Sequence, residues 1–177
     1  MLLLKEVPRY ESLLEHAKRY PELDPSAMEA FLYLLRTSTE VFDAFNDLMV
    51  KHEISQGRFI VLILLNRDPD KPVNPADLAD RANVTRATMT GLIDTLEHDG
   101  FVKREHAPID RRMMMVRLTP QGRNFLDKIL PDYFRRIAAV MSRLTEAERK
   151  TLVMLMGKIE QAVPEIGVGP PPKVTEA

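Results

Sequence analysis

The sequence predicts a mainly α-helical chain with a small β-hairpin wing: a winged helix-turn-helix joined to a helical dimerisation domain. Three observations carry this. Between residues 74 and 100 two capped helical segments flank a tight turn. Directly after Gly100 the apolar period switches from helical to alternating. The helices outside this stretch carry more apolar surface than one small module can cover.

The first short helix has a legible start. Asn74 supplies a cap, Pro75 occupies the first helical position where its missing N–H costs nothing, and Asp77 faces the positive helix end. It ends by Asn83. Thr85 then caps a second helix, whose residues 86–99 contain no proline and are followed by Gly100 as terminator. At about 100° per residue, Met89, Leu92, Ile93 and Leu96 fall on one face and belong to a core. The opposite face carries Ala87, Thr88, Thr90, Gly91, Asp94 and Thr95, with Arg86 in the first turn. An ordinary solvated face carries long Lys and Glu side chains; short ones let a helix backbone approach base edges in a major groove. Gly91 costs about 1 kcal/mol of helix propensity relative to Ala, so local stability did not place it there.

Phe101 and Val102 lead into Lys103, Arg104 and Glu105; residues 106–112 form the loop; residues 113–118 return, with Met114, Val116 and Leu118 on one strand face. From Lys103 to Arg117 five basic residues stand against two acidic ones, a net of +3 in a chain whose formal net charge is −1. The positive charge is therefore local. A basic hairpin beside a small-faced helix is the footprint of a duplex-DNA reader, with the helix in the major groove and the wing on phosphate or in the minor groove.

The run LADRANVTRATMTGLIDTLEHDGFVKR, followed by DRRMMMVRLTPQG, resembles the MarR family of winged-helix transcriptional regulators, and the flanking helices extend the likeness over residues 28–163. The Asp-Arg-Arg wing followed by Val-x-Leu-Thr-x-x-Gly is the specific part. The resemblance implies an obligate homodimer, binding to a pseudo-palindromic DNA operator, and release by a small, often aromatic, ligand. By position it assigns Thr85, Arg86, Thr88, Thr90 and Gly91 to the recognition helix, and Asp110 and Arg112 to a wing pair in which the carboxylate orients the arginine. Lys103, Arg104 and Arg111 are expected on the DNA backbone. Asp94 is expected either to hold a wing arginine or to accept from a cytosine amine.

Composition bounds the rest. The chain has 177 residues, 45% hydrophobic and 29% charged, which suits a globular protein with an ample core. No apolar run approaches the roughly 18 residues that span a bilayer, and residues 1–4 are too short for a signal-peptide core, so a cytoplasmic location is expected. There is no cysteine, which excludes disulfides, thiolate metal sites and thiol redox sensing. The four histidines, at 16, 52, 98 and 106, share no metal-ligand spacing, and no phosphate loop, nucleophile elbow or HExxH occurs. Neither an enzyme, a cofactor nor a metal is expected.

Outside the winged module, residues 8–20 form a short helix broken at Pro21. Asp24 caps a long helix with Pro25 first, and residues 27–51 carry a broad apolar stripe through Phe31, Leu34, Leu35, Val41, Phe42, Phe45, Leu48 and Met49. Ser55 caps a nearly all-apolar helix, and residues 66–73 make a linker. Thr119 and Pro120 open a long helix that Pro131 bends; Thr145 with Glu148 is a capping box opening the last helix, which Pro164 ends. The expected organisation is an extension over 1–24, dimerisation helices over 25–53 and 120–163, the DNA-binding lobe over 54–119, and a flexible tail over 164–177.

An effector that moves the dimer off DNA must favour one spacing of the recognition helices, so its pocket is expected where the dimerisation helices meet the DNA-binding lobe. Tyr33, Arg36, Ser38, Arg58, Phe59 and His16 offer the aromatic and cationic groups suited to a small aromatic acid. The other reading pairs Arg36 and Arg58 with Glu40 or Glu53 and closes the cavity. The stretch HAKRYPELDPSAM resembles the N-terminal helix and junction of a urate-responsive branch of the family, in which a tryptophan helps hold the ligand. This chain has no tryptophan, and His16 stands near that place. The extension either frames a pocket or only enlarges the dimer interface. Two functional classes follow: a ligand-responsive repressor, or a winged-helix module for constitutive DNA or protein binding without a small-molecule site.

Overall fold

The computed structural model describes residues 6–107 and 112–166. It divides into two compact units, Met1–Tyr133 and Phe134–Ala177. The element order is α1 (Tyr10–Arg19), α2 (Pro25–Lys51), α3 (Gln56–Asn66), α4 (Pro75–Ala82), α5 (Arg86–His98), β1 (Val102–His106), β2 (Met114–Leu118), α6 (Pro120–Met141) and α7 (Glu146–Ala162), with a short 3-10 turn at Val163–Glu165. The mainly helical architecture with one antiparallel hairpin is the one the sequence predicts.

Caps decide where the helices begin. Asp24 Oδ1 accepts the N–H groups of Ser26 and Ala27, Ser55 Oγ that of Arg58, Asn74 Oδ1 that of Ala76, and Thr85 Oγ1 that of Thr88. Thr119 Oγ1 does the same for Gly122 at the start of α6, and Thr145 with Glu148 closes a reciprocal capping box on α7. Helix α4 ends on Asn83 in the left-handed region, at φ 51°, and α5 is terminated by Gly100 at φ 75°. Pro131 lies inside α6, which continues past it to Met141.

One apolar core organises the first unit. Leu48 and Met49 from α2, Phe59, Leu62 and Leu65 from α3, Leu78 from α4, Met89, Ile93 and Leu96 from α5, Val102, Val116 and Leu118 from the hairpin, and Leu126 and Ile129 from α6 are all buried in it. Helix α1 packs on α2 through Leu13. The hairpin pairs Val102 with Leu118, Arg104 with Val116 and His106 with Met114, so His106 is a strand residue, where the sequence suggests loop.

The linker before α4 holds a further departure from expectation. Val73 exchanges both backbone hydrogen bonds with Val116 at 2.8 Å, which puts β2 between Val73 and β1. Arg117 and Arg123 fix this segment from outside: Arg117 donates to the carbonyl of Asp70, and Arg123 donates to the carbonyl of Pro69 at 2.9 Å and to Asp70 Oδ1 at 2.8 Å. A single bridging residue has no alternating pattern for the sequence to display.

Gly122 shows why α6 sits tight against the wing root. A Cβ there would lie 2.2 Å from the Phe101 carbonyl oxygen and 2.8 Å from Leu118 Cδ1, so only glycine lets the first turn of α6 pass.

In the second unit α7 has no buried residue, and Leu152, Leu155, Met156 and Ile159 along it are all exposed. No helix among the described residues is long and apolar enough to cross a membrane.

Candidate nucleic-acid interface

Helices α4 and α5 pack against each other across the turn at Asn83, with Met89, Ile93 and Leu96 anchoring α5 in the core and Leu92 half-buried beside them. The other face of α5 is open. Arg86, Ala87, Thr88, Thr90, Gly91, Asp94 and Thr95 are exposed, and nothing lies within 4 Å of the place where a Gly91 Cβ would stand. Two threonines on this face return their hydroxyl protons to the helix, Thr90 to the Arg86 carbonyl at 2.9 Å and Thr95 to that of Gly91 at 3.0 Å. With their protons so placed, these hydroxyl oxygens keep only their lone pairs for a further partner and serve as acceptors. Among the described residues Arg86 makes no ion pair or side-chain hydrogen bond, so its charge at the first turn of α5 is available to a phosphate or a guanine edge.

The hairpin flanks this surface. Lys103 is exposed and reaches Glu105 at 3.3 Å; Arg117 Nε donates to Glu105 Oε1 at 2.9 Å. The Arg117 hydrogen bond, with Lys103 behind it, holds the Glu105 carboxyl below the usual glutamate range. Arg112 is exposed at the return of the hairpin. Asp110 and Arg111 lie outside the described residues, and with them the expected pairing of Asp110 with Arg112.

Arg104, expected on the DNA backbone, is engaged within the chain by two acidic residues of α5. Its guanidinium donates to Asp94 Oδ1 and Glu97 Oε2, and its backbone N–H donates to Glu97 Oε1 at 2.8 Å. Burial works against its charge, yet the hydrogen bonds to Asp94 and Glu97 outweigh it and hold the guanidinium above its ordinary value. Of the two expected roles for Asp94, holding a hairpin arginine is therefore present. The partner is Arg104, a residue of strand β1. Glu97 escaped the sequence reading; its only signal is the spacing of three from Asp94, which puts both carboxylates on one side of the helix.

The six expected effector residues each have their own surroundings in the structure. Phe59 is the clear correction: it is 3% exposed, with its ring centroid 5.1 Å from that of Tyr133, because the apolar face of α3 is core. Arg36 pairs with Glu40 at 2.8 Å, Ser38 Oγ donates to the Leu34 carbonyl, and His16 Nδ1 lies 2.6 Å from the Ser12 carbonyl oxygen. Tyr33 is exposed one turn before Arg36. Arg58 bridges elements: it donates to Asp99 Oδ2 at 2.8 Å, at the end of α5, and to the Glu53 carbonyl at 3.2 Å. Glu53 itself holds the left-handed region at φ 53°, uncommon for a residue with a side chain.

An exposed, small-faced second helix, a tight turn before it and a charged hairpin after it define a winged helix-turn-helix DNA-binding protein. The MarR family model matches residues 54–114, the stretch from the start of α3 to the return of the hairpin. The HTH-type transcriptional repressor YetL of Bacillus subtilis (strain 168) is 36% identical over 156 residues, covering 88% of this chain and 93% of its own length. The chain belongs to the MarR family of DNA-binding transcriptional regulators. Among solved structures, the transcriptional repressor CouR bound to a 23-mer DNA duplex superposes with a TM-score of 0.64 at 25% identity, over 73% of this chain and 90% of that one. BpsR of Bordetella bronchiseptica, whose DNA binding is regulated by 6-hydroxynicotinic acid, gives 0.63 at 25% identity, over 72% and 89%.

Proposed function

We propose that this protein is a homodimeric transcriptional repressor, acting in the cytoplasm, that places two α5 helices one helical turn, about 34 to 36 Å, apart on a pseudo-palindromic operator. The carrying observation is the open face of α5, with Gly91 unobstructed between acceptor threonines and Arg86 at the leading turn. Thr85, Arg86, Thr88, Thr90 and Gly91 serve the major groove, while Arg112, Lys103 and Arg111 serve phosphate or the minor groove, with Asp110 orienting Arg112. Arg104 acts from behind, through Asp94 and Glu97. The dimer is formed by the helices outside 54–119. Supporting this, α7 leaves Leu152, Leu155, Met156 and Ile159 uncovered in a single chain, and hydrophobic burial is what drives such association.

The effector in this reading is a small aromatic acid. Arg58 is its expected anchor, since the arginine already binds a carboxylate, Asp99, at the end of α5, and an acid that takes its place acts directly on the recognition helix. Tyr33, Arg36, Ser38 and His16 are the remaining contacts. A coupling of about 1 to 3 kcal/mol weakens operator binding some 5- to 150-fold. The relative regulated by 6-hydroxynicotinic acid supports the ligand class.

The test is protection mapping on the DNA upstream of the protein's own gene, with hydroxybenzoates, cinnamates, hydroxynicotinates and urate added in turn. Two protected patches one helical turn apart, released by one of these acids in wild type but not in Arg58→Ala, are expected. Protection that none of them alters would leave a constitutive DNA-binding module. Sedimentation of wild type beside Leu155→Glu/Ile159→Glu reads the dimer; equal masses for the two would overturn the role given to α7.

A further inference from the structure

The ion pair between Asp94 and Arg104 contains more negative charge than holding the hairpin requires. Glu97 alone satisfies Arg104 on two sides, accepting its backbone N–H through one oxygen and its guanidinium through the other. Asp94 brings a second carboxylate to the same guanidinium, which leaves the three side chains at net −1 on a surface that must meet a polyanion. Helix propensity gives no reason for an aspartate in this turn, and surplus negative charge there weakens every phosphate contact nearby.

Position and geometry supply a use for it. Asp94 follows Thr90 by four residues and Gly91 by three, so it shares their exposed face, where the absent Gly91 side chain leaves room for close approach. Its side chain is 59% exposed. Arg104 holds Oδ1, and among the described residues Oδ2 has no hydrogen-bond partner. The result is a short carboxylate with a fixed direction, a partly offset charge and one oxygen free to accept. An acceptor-only group seeks a donor at the base edge. In the major groove cytosine presents N4 amino hydrogens with no acceptor of its own beside them, whereas adenine N6 lies next to the N7 lone pair, which repels a carboxylate.

We propose that Asp94 is a base-reading residue of α5 that specifies a C·G pair through the cytosine N4 amino group, with Arg104 the positioning residue that orients and offsets the carboxylate. This rests on α5 being the DNA-facing helix. The test is selection from a pool of duplexes with a randomised core by the full-length wild type, Asp94→Ala, Asp94→Asn and Arg104→Gln. The wild-type consensus is expected to carry C at one fixed position of each half-site, favoured roughly tenfold over the other bases. Asp94→Ala loses the preference at that position alone. Asp94→Asn moves it to A, because a carboxamide matches both adenine N6 and N7. Arg104→Gln weakens the same position while its neighbours keep their preferences, which a merely structural role would not produce. An Asp94→Ala consensus identical to wild type, or one that fades evenly at every position, overturns the assignment. A wild type that enriches no sequence overturns the reading of α5 itself, a result distinct from an unchanged consensus.

Discussion

The winged lobe and α7 are built from similar shares of apolar residues and treat them in opposite ways. In the lobe, the apolar faces of α3, α4, α5 and the hairpin close on one core, and α6 enters against it at the Gly122 contact that a single methyl would break. On α7, no residue is buried, and Leu155, Met156 and Ile159 stand 47%, 41% and 47% exposed. The capping chemistry of α7 is as complete as that of any other helix, so the difference lies in packing alone. A capped helix with an uncovered apolar face is a local structure awaiting a partner, whereas the lobe is already a finished one.

Glycine substitutions separate the two regions by the largest effects. Gly122→Ala places a methyl against the Phe101 carbonyl and is expected to cost about 3 kcal/mol in urea denaturation, since backbone rather than a side-chain tip must move. A midpoint unchanged from wild type would mean that α6 enters the lobe less tightly than described. Gly91→Glu is next in size. It faces open space, so the thermal melt should hold, while bulk and negative charge at the groove reduce operator affinity at least about a hundredfold, or about 2.7 kcal/mol, in fluorescence anisotropy. Unchanged binding would move the reading surface elsewhere.

The same change on α7 has the opposite sign. Nothing lies within 4 Å of a Cβ at Gly157, and alanine in a helix interior is favoured over glycine by about 0.5 to 1 kcal/mol. Gly157→Ala is therefore expected to raise the denaturation midpoint in dilute protein. A fall instead would place the partner's surface directly against Gly157 and so sharpen where α7 is covered.

The smallest expected effect is on pH. Glu105 is held below its ordinary value by Arg117 and then Lys103, and Asp70 by Arg123. A carboxylate with a depressed folded value contributes stability above its unfolded value, about 4.3 for Glu, and that contribution is lost as the pH falls through the lower folded one. Both groups are exposed enough for solvent to weaken the effect. The melting temperature of wild type should thus fall slightly more than that of Glu105→Gln between roughly pH 6 and pH 3. Parallel curves would show that the pairing of Glu105 with Arg117 adds nothing to stability in this range.

The helices and the family were legible in the sequence because their determinants are local. A cap is a side chain two or three residues from the N–H it satisfies, a terminator is a glycine at the next position, and the core face of α5 is a repeat of three and four. Asn74, Thr85, Gly100, Thr119 and the Thr145–Glu148 box could all be read without coordinates, as could Met89, Ile93 and Leu96. The pairings between residues far apart along the chain depend on packing. Arg58 meets Asp99, Arg117 and Arg123 meet the segment at Asp70, Val73 completes the sheet on Val116, and Phe59 enters the core instead of a pocket. The reason is physical: an exposed arginine has several carboxylates of equal chemistry within its possible reach, and periodicity carries no information about which one the packing of α3, α5 and β2 will bring to about 3 Å.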